Sequence, residues 1–206
     1  MHAESTVFFD VCLQRDLGSG GAWPILSPGH AQRAGELFAC AARWRIRQGG
    51  IVCVHDGRAT GPPHALAGSA GGERLDGCVP VLPAVTVDVW CDQLDTPVDR
   101  SHAFYLATGC AGAPDETPLE RRVFEHLIAG IRDAVVFGAG IEYAMARAID
   151  ALLRRRVRTH VALDATGSAD PAEGQRIIAD WKRRMVDVTT AAMVIRLLER
   201  GANDQV

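Results

Sequence analysis

The chain has 206 residues, 48% of them hydrophobic and 23% charged, which is typical of a globular protein with a full core. The net charge of −3 gives no electrostatic basis for binding nucleic acid or an anionic membrane surface, and no apolar run approaches the roughly 20 residues that span a bilayer. The first ten residues lack the basic flank of a signal peptide, and the six cysteines form no CxxC pair. We expect a single domain over residues 1–206 in a cytoplasmic, reduced protein.

Predicted strands and helices alternate along the chain. Capping signatures open two of the helices, at Thr117–Glu120 and Asp170–Glu173, while Gly49 and Gly50 are expected to end the first helix. The glycine- and proline-rich segment 57–83 is predicted to be a functional or mobile loop. This alternation predicts βαβ units in a three-layer α/β/α fold with a six-stranded, mostly parallel sheet. Seven segments have a strand pattern, one more than the sheet is expected to contain: 5–11, 51–54, 85–90, 103–106, 135–137, 159–163 and 186–190. The predicted helices are 29–48, from 117, from 141, 170 to about 185, and 191–199.

The segment Ala134–Arg147, AVVFGAGIEYAMAR, organises the rest of the chain. A buried strand runs to Phe137, Gly138 and Gly140 form a tight turn, and apolar residues then recur at helical spacing. In open α/β sheets such a turn lies at the edge where ligands bind. Asp10, near the end of the first strand, is either a locally satisfied polar group or a carboxylate that faces this pocket. We favour the pocket, because a charge in a buried strand is costly unless it has partners or a role.

Two stretches of the sequence resemble the isochorismatase-like cysteine hydrolases, which include the nicotinamidases. In the segment FFDVCLQRDL, the residues that match the start of the family are Asp10, Gln14, Asp16 and Leu17. The segment Gly138–Met145 resembles the family's strand, turn and helix N-terminus, where the nucleophilic cysteine stands; the corresponding residue here is Ala144. The C-terminal strand–helix–strand pattern is similar as well, so the resemblance covers nearly the whole chain.

The resemblance implies a Rossmann-like topology in which the first strand lies beside the 134–137 strand at the switch point of the sheet. It implies that Asp10 and position 144 are the catalytic positions of one crevice. It also implies a homo-oligomer, a dimer or tetramer. The other expected ligand-binding residues of the crevice are Gln14, Ala139, Gly140, Glu142 and Tyr143, with a structural role equally open for Glu142 and Tyr143.

Three parts of the hydrolase site are absent from the sequence. Ala144 has no nucleophilic atom, and the family lysine would fall near Ala107 or Thr108, whereas Lys182 is the only lysine of the chain. The positions that match the family's metal ligands are Asp56, Arg58, His64 and Gly77. Of these four, only Asp56 and His64 have side chains of the kind that bind the metal in the family. We therefore expect no zinc and no other cofactor. The alternative, a zinc ion held by His55, Asp56, His64 and Cys78, stays open.

These losses predict a pseudoenzyme that binds a small, amide-like molecule or associates with itself or with an active paralogue, with no nucleic acid or membrane as partner. The first alternative is an amide C–N hydrolase, in which Ala144 is an engineered replacement or another residue, such as Cys110, supplies the nucleophile. The second alternative is a nucleotide-binding protein that uses the Gly138–Gly140 turn, with Asp164 as the acid that binds the ribose.

Overall fold

A computed structural model describes residues 1–55, 64–88, 102–107 and 123–203. The strands are β1 (Thr6–Val11), β2 (Arg47–Cys53), β3 (Ala84–Asp88), β4 (His102–Ala107), β5 (Asp133–Ala139), β6 (Arg158–Gly167) and β7 (Asp187–Thr189). The helices are α1 (Pro28–Trp44), α2 (Val123–Ile128), α3 (Ala146–Arg154), α4 (Pro171–Arg183) and α5 (Ala191–Asn203).

The strands of the described ranges form one sheet in the order β3-β4-β2-β1-β5-β6-β7. β4 runs antiparallel to both β2 and β3, and the other four strand pairs are parallel, so the prediction of a mostly parallel sheet is confirmed. The expected number of six strands is wrong, because seven segments pair, including the three-residue edge strand β7. The strand order reverses at β1, which lies between β2 and β5 as the resemblance implied. This switch point is where open α/β sheets bind ligands.

Helices cover both faces of the sheet and complete a three-layer α/β/α fold. On one face, the ring of Phe137 in β5 packs edge-to-face on Phe38 of α1 at 5.8 Å, and α5 packs beside α1. On the other face, the ring of Phe9 in β1 packs on Phe124 of α2 at 6.0 Å. These aromatic contacts fix the core on both sides of the central strands.

Ion pairs join the helices of the second face. Arg155, just after α3, contacts Glu125 of α2 at 2.6 Å, and Arg184, just after α4, contacts Asp150 of α3 at 2.6 Å. The helices α2, α3 and α4 therefore form one layer. No helix in the described part of the chain is long and apolar enough to cross a bilayer.

The first helix ends earlier than predicted. Arg45 adopts a left-handed conformation (φ 51°) and stops α1 at Trp44, while Gly49 and Gly50 lie inside β2 and do not end the helix. The prediction was wrong here because these glycines serve close packing. A Cβ atom on Gly50 would lie 1.9 Å from the carbonyl oxygen of Asp10, so that β1 and β2 can pair at this point only without a side chain.

The second predicted capping signature is confirmed. The side chain of Asp170 accepts hydrogen bonds from the backbone N–H groups of Ala172 and Glu173, with Pro171 in the first turn of α4. The first signature, Thr117–Glu120, lies outside the described residues.

Substitution of Gly50 by alanine is expected to lower the free energy of unfolding by about 2 kcal/mol or more, because the new methyl group overlaps the β1 backbone. The matched control is Gly35→Ala within α1, where a Cβ atom would meet only the Gly77 carbonyl oxygen at 3.5 Å. Urea denaturation should place the control within about 1 kcal/mol of the parent. Equal effects of the two substitutions would contradict the assigned register of β1 and β2.

Candidate functional site

Asp10 lies at the centre of the sheet, near the carboxyl end of β1. It pairs in register with Gly50 of β2 and Phe137 of β5, and only 1% of the residue is exposed. Every residue of β1 is buried. An ionised carboxylate at this depth needs a partner of opposite charge.

Arg74 supplies that partner from a segment 64 residues further along the chain. Its Nη1 donates a hydrogen bond of 3.0 Å to Oδ1 of Asp10, and its guanidinium carbon lies 4.1 Å from the ring centroid of Tyr105. Gly50, which pairs with both Asp10 and Tyr105, carries no side chain between them. The guanidinium therefore spans three strands of the sheet, held by a charge at one end and an aromatic face at the other.

The position of Arg74 is fixed by a short antiparallel ladder. Arg74 forms a β-bridge with Gln14, Leu75 N–H donates to the Leu13 carbonyl at 3.0 Å, and Arg15 N–H donates to the Glu73 carbonyl at 2.9 Å. The segment after residue 64 therefore returns across the end of β1. Sequence reasoning missed Arg74 because no local pattern marks a contact between residues so far apart.

The Asp10–Arg74 pair leaves polar atoms without a hydrogen-bond partner among the described residues: Oδ2 of Asp10, Nη2 of Arg74 and the hydroxyl group of Tyr105. Burial raises the pKa of Asp10 from 3.8 to about 6, although the charge of Arg74 and its hydrogen bond act in the opposite direction. Buried polar atoms without a hydrogen-bond partner are rare in native structures, and a functional role is one explanation for those that occur.

Gln14 and Asp16 hold the returning segment in place. The Gln14 amide donates to the carbonyl groups of Cys53 (2.7 Å) and Gly72 (2.8 Å) and accepts from Cys53 N–H (2.7 Å). The Asp16 carboxylate accepts from Ala65 N–H at 2.7 Å. The structure thus gives both residues a positioning role, and ligand binding by Gln14 stays a prediction.

The turn after β5 has the predicted strand–turn–helix form. Ala139 ends β5 and is buried, and Gly138 and Gly140 have φ values of 128° and 78°, which favour glycine. A π-helical turn over Ile141–Met145 precedes α3, and Tyr143 within it departs from helical geometry (φ −119°, ψ −112°). Such turns and backbone distortions are frequent at functional sites.

Ala144 and Tyr143 differ sharply in exposure. Ala144 is 3% exposed and places a methyl group at the start of the helix, whereas Tyr143 is 50% exposed. The ring centroids of Tyr143 and Trp23 lie 6.0 Å apart, and those of Trp23 and His64 lie 4.9 Å apart. Trp23 therefore contacts both Tyr143 of the turn and His64, a residue of the cluster described below.

Other predicted residues are held by local contacts. The Glu142 carboxylate accepts hydrogen bonds from the Ser168 hydroxyl and from the N–H groups of Ala169 (3.3 Å) and Asp170 (3.0 Å). Asp164 accepts from Ala191 N–H at 2.7 Å and so caps α5. Both residues have structural contacts, and their roles toward a ligand or a nucleotide stay predictions.

Cys53, His55 and His64 form a cluster at the end of β2. The Cys53 Sγ atom lies 3.1 Å from His55 Nε2 and 3.9 Å from His64 Nε2, and the two Nε2 atoms are 3.1 Å apart. Zn–S and Zn–N bonds of about 2.3 and 2.0–2.1 Å in a tetrahedron imply ligand separations of roughly 3.3–3.6 Å. The donor set is one that zinc takes, and the three separations differ from these values by about 0.5 Å or less.

This cluster differs from the metal set considered in the sequence. Cys53 is buried and contacts both histidines. The sequence feature that indicates this contact is the Cys-x-His spacing of Cys53 and His55, because alternate residues of an extended chain point the same way. Cys78 lies apart, with its thiol 3.6 Å from the Ala31 carbonyl oxygen. Asp56 and Arg58 lie outside the described residues.

No described cysteine outside the cluster has the environment of an activated nucleophile. A hydrogen bond to Cys53, together with burial, raises the pKa of Cys12 well above its usual value. Burial raises the pKa values of Cys40 and Cys78 to about 11. Ala107, near which the family lysine would fall, is fully buried; Thr108 and Cys110 lie outside the described residues.

No protein-family model and no curated protein sequence matches the chain, but its structure is similar to those of solved hydrolases. A putative isochorismatase hydrolase from Oleispira antarctica superposes with a TM-score of 0.65 at 15% identity, over 95% of this chain and 98% of that one. The pyrazinamidase of Pyrococcus horikoshii, solved in complex with zinc, gives 0.60 at 16% identity, over 90% and 99%.

An octameric hydrolase of unknown specificity from Escherichia coli gives a TM-score of 0.60 at 12% identity, over 97% of this chain and 82% of that one. Homo-oligomer formation by this chain stays a prediction. At identities this low the likeness shows the fold alone. The chain therefore has the three-layer α/β fold of the isochorismatase-type hydrolases, as the resemblance implied.

Proposed function

We propose that the protein binds a small polar molecule at the carboxyl edge of its sheet and does not hydrolyse it. The observation that carries the proposal is the buried methyl group of Ala144, at the position where the resemblance places the nucleophile. Attack on an amide carbon needs a nucleophilic atom there, and the described cysteines outside the histidine cluster are buried thiols with raised pKa values.

The rest of the site has substitutes for the parts that the sequence lacks. Arg74 provides a cation beside Asp10, although no lysine is present in that part of the chain. Cys53, His55 and His64 provide a donor set for a metal, although the positions matched from the sequence do not. This pattern fits a pocket maintained for binding, in which no described cysteine outside the cluster replaces the nucleophile.

Restoring a thiol therefore tests the proposal. We expect no ammonia release from nicotinamide or pyrazinamide by the parent, and release at least about ten-fold above background by Ala144→Cys, because a helix N-terminus favours the thiolate. Ala144→Ser is the matched control and should stay inactive, since its hydroxyl group is far less acidic.

Ammonia release by the parent protein that disappears in Asp10→Asn would overturn the proposal and favour the amide hydrolase. If Ala144→Cys is also inactive, Arg74 and the Cys–His–His cluster do not substitute for the missing parts.

We further propose that zinc is bound by Cys53, His55 and His64. All three ligand atoms lie within 4.8 Å of one another, and a thiolate with two imidazoles is a typical zinc donor set. The similar pyrazinamidase from Pyrococcus horikoshii was solved in complex with zinc. A bound zinc ion would polarise an oxygen or nitrogen atom of a ligand as a Lewis acid.

Metal content after purification and dialysis tests this assignment. The parent is expected to retain about one zinc ion per chain and Cys53→Ala to lose it, because the thiolate is removed. Cys40→Ala, which removes an equally buried thiol from α1, is the control and should retain the metal. A parent that binds no zinc, or a Cys53→Ala variant that binds as much as the control, would contradict the assignment.

A further inference from the structure

Cys12 and Cys53 lie beside each other at the ends of two paired strands. β1 pairs with β2 as far as Val11 and Ile51, and the Cys12 N–H group donates to the Ile51 carbonyl at 2.7 Å. Cys12 is therefore level with Val52, one position before Cys53. For strands about 4.8 Å apart with a rise of about 3.3 Å per residue, this offset separates the two Cα atoms by about 6 Å. A disulfide spans Cα separations of about 4.4–6.8 Å.

The backbone of Cys12 departs from strand geometry at this point. Its φ value of 50° is left-handed, which is uncommon for a residue other than glycine, asparagine or aspartate. In two regular strands, Cys12 and Cys53 would point to opposite faces of the sheet, because successive side chains alternate. The left-handed residue breaks this alternation, and a hydrogen bond joins the two thiols. Backbone strain of this kind is concentrated at functional sites.

Gln14 holds Cys53 against the segment that carries Cys12. Its side-chain amide accepts a hydrogen bond from Cys53 N–H and donates one to the Cys53 carbonyl, both at 2.7 Å. Both cysteines are free thiols. They are 4% and 5% exposed, so that each is enclosed with the other as a neighbour.

The histidine side of Cys53 is the side nearest to solvent. Its Sγ atom lies 3.1 Å from His55 Nε2 and 3.9 Å from His64 Nε2, and both histidines are only half-buried. A small neutral oxidant such as hydrogen peroxide therefore approaches this sulfur past the same imidazoles that a zinc ion would pass.

We propose that Cys12 and Cys53 form a reversible disulfide in the presence of a peroxide, and that this bond withdraws Cys53 from the metal cluster. The Cys53 thiolate takes an oxygen atom from hydrogen peroxide, which gives a sulfenic acid and hydroxide. The Cys12 thiol then attacks that sulfur, its proton leaves with the hydroxyl group as water, and the S–S bond forms. The peroxide accepts the two electrons that the two sulfur atoms lose.

The disulfide has a direct consequence for the cluster. A metal is bound by a thiolate, so that a sulfur atom in a disulfide leaves His55 and His64 as the remaining donors of the three. This consequence rests on the proposed function, which assigns zinc to the cluster, whereas formation of the disulfide does not depend on it.

Peptide mass mapping of the purified protein after treatment with a few-fold molar excess of hydrogen peroxide tests the disulfide. We expect a cross-linked peptide that joins Cys12 to Cys53 and that disappears after reduction with a phosphine. Cys40→Ala, which removes a buried thiol from α1, is the matched control and should form the same bond. In Cys12→Ala, Cys53 should proceed to the sulfinic or sulfonic acid, because no second thiol traps the sulfenic acid.

Metal content tests the consequence for the cluster. The parent and Cys40→Ala should release about one zinc ion per chain on oxidation and bind it again after reduction. Cys12→Ala should release zinc but fail to bind it again, because sulfinic and sulfonic acids are not restored by the phosphine.

In the parent, a sulfinic or sulfonic acid at Cys53 without the cross-link, a disulfide between other cysteines in its place, or an unchanged Cys53 would each overturn the inference. This peptide map decides the question even if Cys12→Ala does not fold. Zinc that stays bound after the disulfide has formed would overturn the link to the metal. A Cys12–Cys53 disulfide in a parent that binds no zinc would support the disulfide and contradict only the zinc assignment.

Discussion

The buried ion pair between Asp10 and Arg74 is the interaction on which the site depends. A carboxylate that is 1% exposed in the central strand needs a counter-charge, and Arg74 reaches it only because residues 73–75 pair with residues 13–15. Gln14 and Asp16 hold this arrangement through hydrogen bonds to the returning segment. Residues of the segment that resembles a hydrolase motif therefore also hold the segment that carries Arg74.

The proposed function depends on what replaces each absent part. Arg74 gives Asp10 a cation, and Cys53 with two histidines gives the site a donor set for zinc, but none of the described cysteines outside this cluster has the environment of an activated nucleophile that would replace the methyl group of Ala144. Binding needs charged and apolar groups in a concave site, whereas hydrolysis needs a nucleophile as well. These requirements favour the proposed binding role over hydrolysis.

The sequence predicted the fold through local and periodic signals, such as the buried strand before Gly138 and the cap at Asp170, and it predicted that β1 and β5 are neighbours at the switch point of the sheet. It missed contacts that depend on distant parts of the chain. Gly50 was expected to end a helix, yet it permits β1 and β2 to approach. Arg74 carries no local pattern for its partner, since the two residues lie 64 positions apart.

A double-mutant cycle between Asp10 and Arg74 tests the central claim most directly. The free energy of unfolding would be measured for the parent, Asp10→Asn, Arg74→Gln and the double variant. We predict a coupling energy of about 2 kcal/mol or more, because each single substitution leaves a buried polar or charged group without its partner and the double substitution removes the conflict. Additive effects of the two substitutions would show that Arg74 is not the counter-charge of Asp10, and the account of the site would be wrong.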